Sequence, residues 1–80
     1  MKILKFSADW CTPCKQMTEW LKTQSYDHDI VEINVKGNEE LVRQHDIRSV
    51  PTLIMLDNND QKIKAITGFN VPKLEAFLKI

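Results

Sequence analysis

The sequence predicts an α/β fold, a four-stranded mixed sheet with helices on both faces, in the order β-α-β-α-β-β-α. Three observations carry this reading. Along the chain, apolar residues switch repeatedly between strand-like runs and the three-to-four spacing of helices. Leu53, Ile54, Met55 and Leu56 form an unbroken apolar run, which suits a strand covered on both faces and therefore central in its sheet. Finally, the first two strand-like runs are separated by a helical segment, which calls for a parallel pair with a right-handed crossover, whereas the last two lie at hairpin distance.

Ile3, Leu4, Lys5 and Phe6 make the first strand. A helix follows from Thr12 to about Gln24, because Cys14, Met17 and Leu21 recur at helical spacing, with Trp20 beside them. Pro13 suits its first turn, where the N–H that proline lacks has no intrahelical partner anyway. After a polar turn at Tyr26, Asp27, His28 and Asp29, the β-branched Ile30, Val31, Ile33 and Val35 make the second strand, interrupted by Glu32 and Asn34. Gly37 and Asn38 break it. Glu39 to about His45 is a short helix with acids in its first turn and Leu41 and Val42 as its apolar contribution. The central strand comes next, then a turn cluster at Asp57, Asn58, Asn59 and Asp60. The last strand, Lys62 to Thr67, has lysines suited to an edge, and Gly68 ends it. Asn70 caps a final helix with Pro72 in its first turn and Val71, Leu74, Phe77 and Leu78 as its apolar stripe.

Eighty residues make a single domain, 1–80, with the composition of an ordinary globule, 42% apolar and 28% charged. Eleven basic residues balance eleven acidic ones, which gives no electrostatic footprint for nucleic acid or a membrane surface. No run is long or apolar enough to span a bilayer, and Met1-Lys2 leads directly into the first strand without a signal-peptide region. The expectation is a monomer in a reducing cytoplasm, where a lone CxxC pair is more often catalytic than structural.

That pair lies in Trp10-Cys11-Thr12-Pro13-Cys14-Lys15, where a strand hands over to a helix. Unpaired N–H groups and the positive end of the peptide dipoles favour thiolate over thiol at the first cysteine. Cys11 is therefore the expected nucleophile. Cys14, on the same side as Met17 and Leu21, is expected to be the more buried sulfur. Such a dithiol can cycle: Cys11 attacks a partner's disulfide, a mixed disulfide forms, and Cys14 resolves it. As a purely structural bridge, so short a loop would remove little chain entropy. Zinc needs about four ligands, and beyond the two sulfurs only His28 and His45 are on offer, in no paired arrangement. No metal site is expected, and no cofactor beyond the Cys11–Cys14 disulfide itself.

Trp10-Cys11-Thr12-Pro13-Cys14-Lys15 resembles the thioredoxin signature, and Ile47-Arg48-Ser49-Val50-Pro51-Thr52 resembles the thioredoxin segment whose proline is cis. Gly68 falls where such proteins carry a glycine after the last strand. The resemblance spans nearly the whole chain and implies a thioredoxin-like fold. Thioredoxins proper begin with a further strand and helix, so in size the chain is nearer to glutaredoxins. The resemblance also implies a cis Pro51 beside the cysteines, with the backbone of Val50 open to pair with an extended substrate. Trp10 is expected to anchor its loop as a partly buried aromatic, to shield the disulfide and offer partners a flat apolar surface as its counterpart does in the family, or both. With Thr12, Pro13, Val50, Pro51 and Gly68 it makes up the expected substrate-binding set.

Two departures from the family pattern concern charge. Lys5 stands where thioredoxins usually bury an aspartate, and Glu32 stands where a lysine often lies on the adjacent strand. They are expected to pair beneath Cys14 with the signs exchanged, tuning its ionisation; the alternative is two independent strand residues reaching solvent by their long stems. Ser7 replaces an aromatic, and Thr12 replaces a glycine between the cysteines.

The implied function is that of a thiol-disulfide oxidoreductase, an electron carrier reducing protein disulfides. Ribonucleotide reductase or a peroxidase would be the recipient, and a thioredoxin reductase the electron source. One alternative is a glutaredoxin-like enzyme recharged by glutathione, although the chain lacks the paired glycines usual after the last strand of that group. The other is a non-catalytic binding module of the same fold.

Overall fold

The computed structural model describes residues 1–79. Its elements are β1 (Lys2–Ser7), α1 (Thr12–Lys22), β2 (Asp29–Asn34), α2 (Glu39–Gln44), β3 (Thr52–Leu56), β4 (Lys62–Thr67) and α3 (Val71–Leu78). The sheet runs β2-β1-β3-β4, with β1 parallel to β2 and antiparallel to β3, and β3 antiparallel to β4. This is the predicted mixed sheet. All of β3 is buried, as its continuous apolar run implies.

Alternation along β1 divides the core in two. Ile3 packs with Met17 and Leu21 of α1, Leu53 and Met55 of β3, and Leu74 and Phe77 of α3. On the opposite face, Leu4 and Phe6 pack with Ile33, Ile54 and Leu56, under Leu41 and Val42 of α2. A helical layer therefore covers each face. Asn70 caps α3 by accepting a hydrogen bond from the Lys73 N–H at 3.0 Å.

Several boundaries differ from the sequence reading for local reasons. Helix α1 stops at Lys22 rather than Gln24, because Thr23 donates its hydroxyl to the Trp20 carbonyl at 2.7 Å while the Thr23 and Gln24 N–H groups tighten onto Trp20 and Leu21. Asp29 belongs to β2 instead of the preceding turn, since its N–H reaches the Met1 carbonyl at 3.0 Å. Val35 lies one residue beyond β2 yet still donates to the Ser7 carbonyl at 2.9 Å. His45 caps the end of α2 rather than continuing it, with its ring 5.8 Å from that of Phe6.

The lysines of β4 do not share one outward face. A bulge between Met55 and Leu56 pairs Met55 with Lys64 but Leu56 with Lys62, leaving Ile63 as the extra residue, 44% exposed. Lys64 consequently points toward α3, its Nζ 5.1 Å from the Phe77 ring centre.

The strand directions bring four chain segments to one edge of the sheet. Phe6 pairs with Thr52 and Thr52 with Thr67, while Ser7 pairs with Asn34. The residues just past β1, just before β3, just past β4 and just past β2 are therefore neighbours.

Candidate active site

At that edge Cys11 and Cys14 form a disulfide, with Cα atoms 5.2 Å apart. Cys11 is the N-cap of α1. Its backbone is extended (φ −94°, ψ 104°), and its sulfur accepts the Cys14 N–H at 3.1 Å. The first turn of α1 carries no acidic residue, so nothing there opposes the positive end of the helix. On reduction, this N–H and the helix terminus stabilise negative charge on the Cys11 sulfur. The contrast in burial drawn from sequence is absent in this oxidised state: Cys11 is 3% and Cys14 2% exposed, both packed with Ala8 against Val35 and Val50.

The Val50–Pro51 peptide bond is cis. Pro51 is buried, and its carbonyl accepts the Gly68 N–H at 2.9 Å, which ties the loop before β3 to the residue after β4. Gly68 has φ +82°, a conformation that glycine adopts without steric cost. The Thr52 hydroxyl donates to the Ser49 carbonyl at 2.8 Å and closes the same loop. Val50 is left half-buried, beside the cysteines.

Of the two readings of Trp10, loop anchoring by burial is corrected: the residue is 79% exposed. It forms one wall of a groove of about 240 Å³ whose apolar lining is Val35, Val42, Ile47 and Val50, with Arg48 among the lining residues. Sequence reasoning did not assign Val35, Val42 or Ile47 to a binding surface. Their only sequence signal is an apolar side chain on the α2 face near the edge that carries the cysteines. Thr12 and Pro13 are exposed at the mouth of α1. The hydrogen bond to the Cys11 sulfur comes from the Cys14 backbone N–H.

Lys5 and Glu32 are partners in the β1–β2 register, and the Lys5 Nζ lies 2.7 Å from the Glu32 Oε1. The independent-residue alternative is excluded for Lys5, whose side chain is only 2% exposed, while that of Glu32 is 57% exposed. Ser7 Oγ donates to the same carboxylate oxygen at 3.5 Å. His28 lies 3.3 Å from the Leu78 carbonyl at the end of α3, and the His45 ring lies against that of Phe6. Among the described residues, no cluster of three or more His, Cys, Asp or Glu could hold a metal ion.

The family model described as Thioredoxin matches residues 1–80. The chain belongs to the thioredoxin family. Thioredoxin H5 of Oryza sativa subsp. japonica is 40% identical over 78 residues, covering 94% of the chain and 58% of the rice protein. The chain thus spans less than two thirds of that relative's length. Among solved structures, the oxidised mitochondrial thioredoxin 3 of Saccharomyces cerevisiae superposes with a TM-score of 0.88 at 30% identity, over 98% of this chain and 76% of the yeast one. Thioredoxin 1 of Thermosipho africanus TCF52B gives 0.81 at 32% identity and covers 99% and 96% of the two chains. A thioredoxin of nearly this extent therefore exists, and length does not favour a glutaredoxin over a thioredoxin.

Proposed function

We propose that the chain is a thiol-disulfide oxidoreductase, a monomeric dithiol carrier that reduces protein disulfides in the cytoplasm. The observation that carries this is the placement of Cys11 at the N-cap of α1, bonded to Cys14 and adjoining the cis Val50–Pro51 loop. Family membership supports the same chemistry. In the reduced protein the Cys11 thiolate attacks one sulfur of a substrate disulfide, and the substrate's second sulfur leaves as a thiolate. The Cys14 thiolate then attacks the Cys11 sulfur, regenerating the Cys11–Cys14 bond and releasing the substrate's other thiolate. The two electrons of the Cys11–Cys14 dithiol have passed to the substrate. An extended substrate segment lies along the backbone of Val50, with an apolar side chain in the groove beside Trp10.

Ribonucleotide reductase and peroxidases are the recipients this reading favours, with a thioredoxin reductase drawing on NADPH as the donor. Reduction of insulin in the presence of dithiothreitol tests the activity. Wild type accelerates it, Cys11→Ser abolishes it, and Cys14→Ser accumulates a mixed disulfide with insulin; an inactive wild type refutes the reading. Recharging the oxidised protein with NADPH and a thioredoxin reductase, against glutathione alone, identifies the donor, and turnover with glutathione only refutes the reductase assignment.

A further inference from the structure

Lys5 is the only charged residue in the buried set among the described residues, 1% exposed in a sheet face otherwise filled by Ile3, Met17, Leu53 and Met55. An ammonium in such a place is costly unless it is paired. Glu32 supplies the pairing at 2.7 Å, but unequally, because over half of the Glu32 side chain faces water while that of Lys5 is sealed. Solvent screens the carboxylate more than the ammonium, so the net field behind the pair is positive.

A recess of about 190 Å³ connects this charge to the chemistry, since its lining includes both Lys5 and Cys14. The other charged groups around it are Glu32 from β2, Lys15 from α1 and Asp9 from the loop between β1 and α1. Asp9 and Lys15 are solvent-exposed, and the Asp9 carboxylate accepts the Asn34 side-chain N–H at 3.0 Å. Lys22 and Tyr26 line a neighbouring recess on the same side, and α2 and α3 add no lining residue to either. Lys5 is the one charge of this group withdrawn from water.

We propose that Lys5 is a positioning residue for the resolving half of the exchange, holding positive charge behind Cys14 and stabilising its thiolate, with Glu32 anchoring the ammonium. The step balances without any further reactant. In the mixed disulfide the Cys14 thiol loses its proton to water in the recess; the thiolate attacks the Cys11 sulfur, the Cys11–Cys14 bond forms, the bond from Cys11 to the partner breaks, and the partner's thiolate leaves with the electron pair. Negative charge resides on Cys14 only before the attack, and that is where Lys5 acts. The inference rests on the disulfide-reductase reading and deepens it.

Mixing the reduced protein rapidly with dithiobis(nitrobenzoate) releases two coloured thiolates in sequence, the first as Cys11 is modified and the second as Cys14 resolves the adduct. The rate of the second phase is followed against pH for wild type, Lys5→Met and Glu32→Gln. For Lys5→Met the midpoint of the second phase rises by about one pH unit and its rate at neutral pH falls about tenfold, while the first phase changes by less than about twofold. Glu32→Gln uncovers the ammonium and moves the midpoint the opposite way. A Lys5→Met midpoint equal to that of wild type, or a shift of both variants in one direction as from generic loosening of the fold, overturns the proposal. Should Lys5→Met not fold, the downward shift in Glu32→Gln is still required, and its absence is equally fatal. Failure of wild type to release the second thiolate would instead sink the reductase reading itself.

Discussion

Removing the exposed member of the Lys5–Glu32 pair will destabilise the protein more than replacing the buried one, the reverse of what burial alone suggests. In Glu32→Ala the ammonium keeps its place, 2% exposed, without the carboxylate 2.7 Å away. Breaking a fully buried pair costs about 3–5 kcal/mol, and leaving a buried group unsatisfied costs about 1–3 kcal/mol. Because the recess beside Lys5 lets water approach, the lower range applies, and the expected loss is about 2 kcal/mol. Lys5→Met removes the desolvation penalty along with the pair. Its unbranched thioether follows the path of the lysine stem against Ile3 and Leu53, while Glu32, already 57% exposed, turns to solvent. The expected change is within about 1 kcal/mol of zero. Urea unfolding of the oxidised proteins at neutral pH measures both; with a slope of about 1 kcal/mol per M for so small a domain, the Glu32→Ala midpoint drops by about 2 M. The double variant resembles Lys5→Met alone, since no buried charge then remains to be orphaned. A Lys5→Met loss larger than that of Glu32→Ala, or additive behaviour in the double variant, refutes the reasoning.

Other substitutions separate stability from activity. Trp10→Ala, at a side chain 79% exposed, leaves the urea midpoint unchanged within about 0.5 kcal/mol but raises KM for insulin more than it lowers kcat, because it removes one wall of the groove. Gly68→Ala meets no atom within 4 Å of the added Cβ, so its cost is purely conformational at φ +82°, about 1 kcal/mol by thermal or urea unfolding. Met17→Ala opens a cavity in the α1/α3 face of the core, where Met17 is 0% exposed, and costs about 2–5 kcal/mol in the same assay.

What was legible in the sequence was mostly what is local. The helix start at Thr12, the proline in the first turn and the apolar spacing of Cys14, Met17 and Leu21 are all set within one helix, and each is found where the spacing places it. The same holds for Asn70 and α3. The bulge at Ile63 was not legible, because it depends on how Met55 and Leu56 register against β4. Nor was the end of α1, where a single threonine hydroxyl competes for the Trp20 carbonyl. Trp10 illustrates the limit most directly. A tryptophan beside two buried cysteines reads equally well as packing or as surface, and only the course of the loop leaves it in solvent.

The groove shows why tertiary information was needed at the site itself. Its lining comes from the loop between β1 and α1, the residue after β2, helix α2 and the loop before β3, and nothing in the spacing of Trp10, Val35, Val42 and Val50 predicts their meeting. Topology does. A parallel β1–β2 pair places the end of β2 beside the end of β1, an antiparallel β1–β3 pair places the start of β3 there too, and an antiparallel β3–β4 pair adds the end of β4. Once those directions are fixed, the cysteines, the cis-proline loop and Gly68 must share one edge, whatever residues occupy them. Residue identity then decides the chemistry: a sulfur at the helix mouth to react, a glycine whose N–H holds the proline loop, and, on the strand that leads into the cysteines, a buried lysine paired with an exposed glutamate.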